Sequence, residues 1–211
     1  MDINVEIEDV LLNHPSLNYD TEKNHLEGEL FISDNDSYEL IIDLNSYPKS
    51  FPIVYETGER IPKKMDRHIY TDTGSCCFTT RAKAQILLRT KVKSLLIFIN
   101  NIVIPYLQNN SYFEINKKYK TAEYSHGPLG AVESYRDILD LEIDMLIAQL
   151  IYRRVKGEKL SIRDACYCGS GIPLKKCNKG KHDKCYRAFR KIDKEILEGD
   201  LYTDFSKHLN L

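Results

Sequence analysis

The stretch LEGELFISDNDSYELIIDL at residues 26–44 sets the fold class of this chain. Apolar side chains recur at every second position on both sides of the polar run SDNDS at residues 33–37. Alternation with a period of two places the apolar residues on one face of a strand, and the polar run is typical of a turn. The stretch therefore predicts a β-hairpin.

The segments on either side of the hairpin extend this prediction. Pro48 and Pro52 interrupt any strand pairing and favour a rigid, extended crossing. A third strand is then predicted at residues 53–56. Before the hairpin, the apolar segment from Val5 to Leu12 ends near a proline, and its pattern fits either a short helix or an edge strand.

Helical periodicity dominates the remaining apolar pattern. It predicts helices over residues 92–107, 132–154 and 184–197, with the run Asn109-Asn110-Ser111 ending the first of them. The order of the elements predicts an α+β fold, with helices packed on one face of an antiparallel β-meander.

Length, charge and hydropathy limit the classes of function. The chain has 211 residues, which suit one medium domain and one small domain, and its net charge of −1 gives no general attraction to nucleic acid or anionic membranes. We expect the basic stretch at residues 175–190 to be a solvated face rather than a nucleic-acid site. The sequence contains neither an apolar stretch of about 20 residues nor a signal-peptide pattern, so a cytoplasmic location and no membrane contact are expected.

The six cysteines form two groups, and in a reducing compartment such groups favour metal binding or thiol chemistry over disulfides. Three thiols of the second group precede an imidazole and a fourth thiol within about twenty residues, which is enough to close a tetrahedral zinc site. A segment this small has little core of its own, so the metal is expected to supply its folding energy. The candidate ligands are Cys166, Cys168, Cys177, His182 and Cys185.

The stretch from Gly157 to Cys177, with its CYCGSG and KKC runs, resembles the SEC-C zinc motif. The resemblance implies a structural Zn²⁺ ion in a small protein-binding module found mostly in bacteria. The family usually has Cys or His directly after its third cysteine, where this chain has Asn178. The fourth ligand is therefore expected further on. His182 is favoured, as the family position displaced by a short insertion, and Cys185 remains an alternative.

The first cysteine group lies in the stretch DRHIYTDTGSCCFT at residues 66–79. The turn formed by Asp72, Thr73 and Gly74 brings the following side chains towards the surface, where a thiol is open to oxidation. Neighbours on an extended segment point in opposite directions, so Cys76 is predicted to pack inside. Cys77 is then the candidate nucleophile.

The residues around the hairpin and the first cysteine group form a further pattern, made of Tyr47-Pro48 and Pro52, Ile53-Val54-Tyr55, His68, and Gly74-Ser75-Cys76-Cys77-Phe78. Through these features, residues 1–155 resemble the ubiquitin-conjugating enzymes in a divergent bacterial form. The resemblance implies that Cys77 accepts the C-terminus of a carrier protein as a thioester and transfers it to a target, within an antiphage defence system. The expected partners are an activating enzyme, a ubiquitin-like or other carrier protein, and a target bound by the zinc module.

Three further residues are candidates for the chemistry around Cys77. Tyr70 stands where the family has the Asn associated with the oxyanion, and its hydroxyl is a possible donor. His68 is favoured as a histidine that braces the loop over a catalytic base, and His126, in a Ser-His-Gly-Pro loop, is the other candidate imidazole.

The sequence predicts a conjugating domain at residues 1–155, a linker at 156–165 and a zinc module with a C-terminal helix at 166–211. Two other functions are compatible with the same residues. One is a catalytically inactive adaptor that binds protein partners, and the other is a Cys-His hydrolase of peptide or isopeptide bonds.

Overall fold

A computed structural model describes residues 2–121 and 124–210. The chain forms two compact units, which we call the sheet unit (Met1–Phe78 with Leu88–Glu123) and the helical unit (Thr79–Leu87 with Tyr124–Leu211). Their bounds differ from those of the predicted domains at 1–155 and 166–211, because residues 124–155 group with the cysteine-bearing C-terminal segment.

The described residues form the following elements in chain order: α1 (Ile3–Asn13), β1 (Leu17–Asp20), β2 (His25–Ser33), β3 (Asp36–Asp43), β4 (Ile53–Glu56), a 3-10 turn (Met65–Arg67), α2 (Arg81–Thr90), α3 (Leu95–Phe98), a π-helical turn (Ile99–Val103), α4 (Ile104–Asn116), α5 (Pro128–Leu139), α6 (Asp144–Val155), a 3-10 turn (Cys177–Gly180), α7 (Lys181–Phe189), α8 (Lys194–Gly199), a second π-helical turn (Asp200–Phe205) and α9 (Ser206–Leu209).

The sheet of the first unit is antiparallel, with strand order β1-β2-β3-β4. It confirms the α+β class, the hairpin and the third predicted strand, whereas β1 and α2 were not predicted. The alternating apolar residues lie on a buried face: Leu26, Leu30, Leu40, Ile42 and Val54 are almost fully buried. Gly28 allows β1 to approach β2, since a Cβ atom there would lie 2.4 Å from the carbonyl oxygen of Ser16.

The N-terminal segment, which the sequence left open between helix and strand, is the helix α1. The side chain of Asp2 accepts a hydrogen bond from the backbone N–H of Asn4 at 3.0 Å, which caps the helix. Ile7 and Val10 are buried on its inner side. α1 contacts both β1 and α3.

The helix predicted at residues 92–107 has different bounds, because α3, the π-helical turn and α4 continue past the asparagines that were expected to end it. Asn109 and Asn110 are buried, and their side-chain amides have distant partners. Asn110 Oδ1 accepts from Arg67 Nη2 at 3.0 Å, and Asn109 Oδ1 accepts from the backbone N–H of Lys120 at 2.9 Å. These bonds satisfy the amides without interrupting the helix.

The single helix predicted at residues 132–154 is two helices, α5 and α6. The break follows α5 at Asp140, which has left-handed backbone angles (φ 53°, ψ 50°). A bidentate ion pair spans it: Nε and Nη2 of Arg136 donate to the two carboxylate oxygens of Asp144, each at 2.7 Å. The helix predicted at residues 184–197 is also divided, since α7 and α8 are separate.

One hydrophobic core joins α5 and α6 to the cysteine-bearing segment and the C-terminal helices. Tyr135, Ile151, Leu174, Phe189 and Phe205 are fully buried in it. The premise that the C-terminal segment lacks a hydrophobic core was therefore wrong, because that segment shares the core of the preceding helices. No helix in residues 2–121 and 124–210 has the length and apolar character needed to cross a bilayer.

Candidate metal centre and thiol loop

Four of the five predicted metal ligands converge in the helical unit. The ligand atoms of Cys166, Cys168, Cys177 and His182 all lie within 4.8 Å of one another, and Cys185 is outside this group. Cys166 Sγ is 3.2 Å from His182 Nδ1, and the sulfur atoms of Cys168 and Cys177 are 3.5 Å apart. Zn–S and Zn–N bonds of about 2.3 and 2.0 Å in a tetrahedron imply ligand separations of about 3.5–3.8 Å. The group can therefore hold a metal ion.

Two tight turns bring these ligands together. After Cys166, the chain reverses through Gly169 and Gly171, whose φ values of 80° and 73° favour glycine. The backbone N–H of Gly169 donates to the carbonyl of Cys166 at 3.1 Å. Cys177 begins the second 3-10 turn, and His182 lies in the first turn of α7. These turns therefore bring the two cysteines of the C-x-C segment close to Cys177 and His182.

The environment of the cluster suits a structural ion. Cys166, Cys177 and His182 are buried, while Cys168 is partly exposed. Burial raises the pKa of the Cys166 thiol. Burial also opposes ionisation of Cys168, but the hydrogen bonds of Ser170, Cys166 and Cys177 to its sulfur together lower the pKa of Cys168. A thiol that ionises readily beside buried ligands favours capture of a cation.

A second group of potential ligands lies on the β1–β2 hairpin and is explained without a metal. His25 Nε2 is 2.9 Å from Glu27 Oε2 and 4.0 Å from Asp20 Oδ2. Lys23 Nζ is 3.2 Å from the same oxygen of Asp20. The hydrogen bond between His25 and Glu27 and the ion pair between Lys23 and Asp20 account for the cluster.

The predicted nucleophile lies in a short two-stranded loop of the sheet unit, residues 68–77, which we call the thiol loop. The backbone N–H of Cys77 donates to the carbonyl of His68 at 2.7 Å, and that of Tyr70 donates to Ser75 at 2.9 Å. Ile69 and Cys76 pair between these bonds. The tip of the loop, residues 71–73, is exposed.

The two adjacent thiols have different environments. Cys76 is only 7% exposed, and its backbone N–H donates to the carbonyl of Val54 at 2.8 Å. Burial raises the pKa of Cys76 to about 12. Cys77 is half-buried. The structure therefore places Cys76 inside the sheet unit and leaves Cys77 partly accessible.

The other predicted residues around Cys77 fall in different places. The ring of His68 packs edge-on against Tyr119, with 5.4 Å between centroids, and its carbonyl accepts from the Tyr106 hydroxyl at 2.9 Å. Tyr70 is 44% exposed. His126 belongs to the helical unit, whereas Cys77 belongs to the sheet unit. The catalytic roles of these residues stay predictions.

Sequence reasoning missed one residue beside the candidate metal centre, Asp140. Asp140 lies inside a predicted helix, where nothing marked it, yet its carboxylate accepts from Asn178 Nδ2 at 2.8 Å and Lys181 Nζ at 2.7 Å. The available signal was Asn178, the residue after Cys177, where the resemblance stated from the sequence had led us to expect a ligand.

Comparisons of this chain with protein-family models, curated proteins and solved structures gave no match.

Proposed function

We propose that this chain is a protein-conjugating transferase similar to the ubiquitin-conjugating enzymes, with Cys77 as the acceptor thiol and a structural zinc centre in its helical unit. The observation that carries the proposal is the contrast between adjacent thiols: Cys76 is buried, and Cys77 is partly accessible, in the same loop as the exposed tip at residues 71–73. The order of elements supports it, with an antiparallel meander followed by the thiol loop and then helices.

The proposed reaction is two successive acyl transfers. The Cys77 thiolate attacks the carbonyl carbon of a carrier thioester on an activating enzyme, the bond from that carbon to the enzyme's sulfur breaks, and the sulfur leaves as a thiolate. An amine of the target then attacks the new thioester, and the Cys77 thiolate leaves while the amine loses a proton. Both steps pass through an oxyanion, for which the exposed Tyr70 hydroxyl is the proposed donor.

His68 is proposed as a residue that braces the loop, since its carbonyl receives both the Cys77 N–H and the Tyr106 hydroxyl. The helical unit is proposed to bind the target protein, and a role in antiphage defence remains part of the proposal. The role of His126 rests on the sequence alone.

Zinc is the metal that best fits the four ligands. Three thiolates and one imidazole are a common structural zinc set, and here their ligand atoms lie within 4.8 Å of one another, whereas magnesium and calcium prefer oxygen ligands. With four protein ligands, no coordination position is left for a substrate. The ion would therefore stabilise the Cys166–His182 region and take no part in the chemistry at Cys77.

An inactive adaptor is the second candidate, and one observation favours it. Tyr70 stands where the family has Asn, and it is 44% exposed, whereas a preorganised oxyanion donor usually lies in a site that excludes water. An adaptor would keep both units and bind partners without forming an adduct.

The decisive experiment is to isolate the tagged chain from its native host under non-reducing conditions. We expect an adduct of higher mass that dithiothreitol removes. It should be kept in Cys76→Ala and lost in Cys77→Ala. In Cys77→Ser it should persist in dithiothreitol but yield to mild alkali, because the hydroxyl forms an ordinary ester. An adduct that survives in Cys77→Ala, or none in the wild type, would favour the adaptor.

A further inference from the structure

Asp140 occupies a costly backbone conformation at the break between α5 and α6. Its φ of 53° and ψ of 50° lie in the left-handed region, which most L-residues avoid and Asp tolerates comparatively well. The apolar pattern would have allowed the helix to continue. The break places the Asp140 carboxylate beside the metal centre of the same unit, 3.8 Å from His182 Nε2.

Three side chains from one short segment meet this carboxylate. Asn178 Nδ2 donates to Oδ2 at 2.8 Å, and Lys181 Nζ donates to Oδ1 at 2.7 Å. His182 Nε2 lies 3.8 Å from Oδ2. The amide and the ammonium group hold the carboxylate in place, so its position relative to the imidazole does not depend on His182 alone.

The two ring nitrogens of His182 face different neighbours. Nδ1 is 3.2 Å from Cys166 Sγ and belongs to the ligand group, while Nε2 faces Asp140. A histidine that binds a metal through one nitrogen usually donates the N–H of the other to a carboxylate, carbonyl or water. A closing movement of roughly 1 Å would bring Nε2 and Oδ2 to hydrogen-bond distance.

Asn178 explains how this chain departs from the SEC-C pattern. It follows Cys177 directly, at the position where the pattern has a fourth ligand, and its left-handed backbone (φ 46°) turns its amide to Asp140. The residue at that position therefore supports the carboxylate instead of contacting the ion, and His182 completes the ligand group.

We infer that Asp140 is a positioning residue for the metal centre, which fixes His182 with Nδ1 towards the ion and Nε2 protonated. The inference rests on the zinc centre proposed above and is independent of the chemistry at Cys77. It also links metal binding to the turn between α5 and α6, because Asp140 forms that turn and its carboxylate faces His182.

The test measures zinc affinity by competition with a chromophoric chelator. Asp140→Asn keeps the shape of the side chain and tolerates the left-handed backbone, but it removes the charge. We expect its zinc affinity to fall about 10–100-fold. Asp137→Asn is the matched control, because Asp137 is an exposed carboxylate on α5 with the same charge and bonds to Lys83 and Tyr124 instead. Its affinity should stay within about twofold of the wild type.

A second readout separates positioning from a general loss of negative charge. In the zinc-loaded wild type, ¹H–¹⁵N correlation spectra of the His182 ring should show a metal-bound Nδ1 and a protonated Nε2. In Asp140→Asn this signature should be lost or become heterogeneous. Asn178→Gly, which keeps the left-handed backbone and removes the amide, should give a smaller loss of affinity and remains informative if Asp140→Asn does not fold.

The outcomes distinguish two failures. If the wild type binds zinc and Asp140→Asn binds it equally well with an unchanged ring signature, this inference is overturned and the metal centre stands. If the purified wild type takes up no zinc at all, the metal centre is refuted and the inference falls with it.

Discussion

The thiol loop and the metal centre both contain cysteines, but they arrange them in opposite ways. In the thiol loop two adjacent cysteines diverge, with Cys76 buried and Cys77 half-buried. In the metal centre cysteines from two separate turns converge on one histidine. The difference follows from the backbone. Adjacent residues on an extended segment point apart, whereas Gly169 and Gly171 turn the chain back directly after the C-x-C segment. Two cysteines adjacent in a sequence are therefore weak evidence that both bind the same metal ion.

The largest effect is expected where a converging thiol is removed. Cys177→Ser should reduce zinc affinity by about a thousandfold or more, because a serine hydroxyl does not ionise at neutral pH and is a poor zinc ligand. Cys185→Ser should keep the full zinc content, since Cys185 lies outside the ligand group. Elemental analysis and chelator competition on both variants provide the measurement.

The zinc content of Cys185→Ser also decides whether His182 or Cys185 is the fourth metal ligand, a choice that the sequence left open. Loss of zinc in that variant, with retention in His182→Ala, would contradict the ligand set seen in the structure.

The second prediction concerns the diverging thiols. Burial raises the pKa of Cys76 to about 12, so its thiolate fraction at pH 8 is ~10⁻⁴. Because the thiolate is the reactive form, we expect Cys77 in the folded protein to react with iodoacetamide about 100-fold faster or more. Peptide mass spectrometry of a time course at pH 8 measures the two rates.

The single variants provide the control for this comparison. In the peptide that contains residues 76 and 77, fast labelling should persist in Cys76→Ala and disappear in Cys77→Ala. Raising the pH towards 10 should accelerate labelling of Cys76, because its thiolate fraction grows as the pH approaches its raised pKa. Equal rates for both thiols at pH 8 would contradict the contrast on which the proposed function depends.

Local patterns in the sequence predicted the sheet well. The period-two alternation around residues 33–37 was sufficient because β2 and β3 pair directly across a short turn. The convergence of Cys166, Cys168 and Cys177 was also predictable, since glycines and short spacings restrict where such thiols can lie.

The features that the sequence did not reveal depend on distant partners. Asn109 and Asn110 were expected to end a helix, but Lys120 and Arg67 satisfy their amides inside it. The break at Asp140 was hidden for the same reason. Apolar residues continue on both sides of it, and the side chains that hold its carboxylate follow about forty residues later.

The smallest predicted effect concerns the brace behind the thiol loop. The Tyr106 hydroxyl donates to the carbonyl of His68 at 2.9 Å, and that carbonyl also accepts the Cys77 N–H. Tyr106→Phe removes the first bond while the second keeps the carbonyl satisfied. We therefore expect a loss of only about 1 kcal/mol in the free energy of unfolding. Urea denaturation followed by circular dichroism measures it.

The same variant sharpens the comparison between the two cysteine groups. Zinc affinity should not change in Tyr106→Phe, since Tyr106 belongs to the sheet unit and the ligands to the helical unit. The iodoacetamide rate of Cys77 should rise by about two- to threefold, because a thiol loop with one fewer hydrogen bond opens more often. A change in zinc affinity as large as the change in thiol reactivity would mean that the two groups are not independent. The metal centre would then have to be considered part of the machinery that presents Cys77.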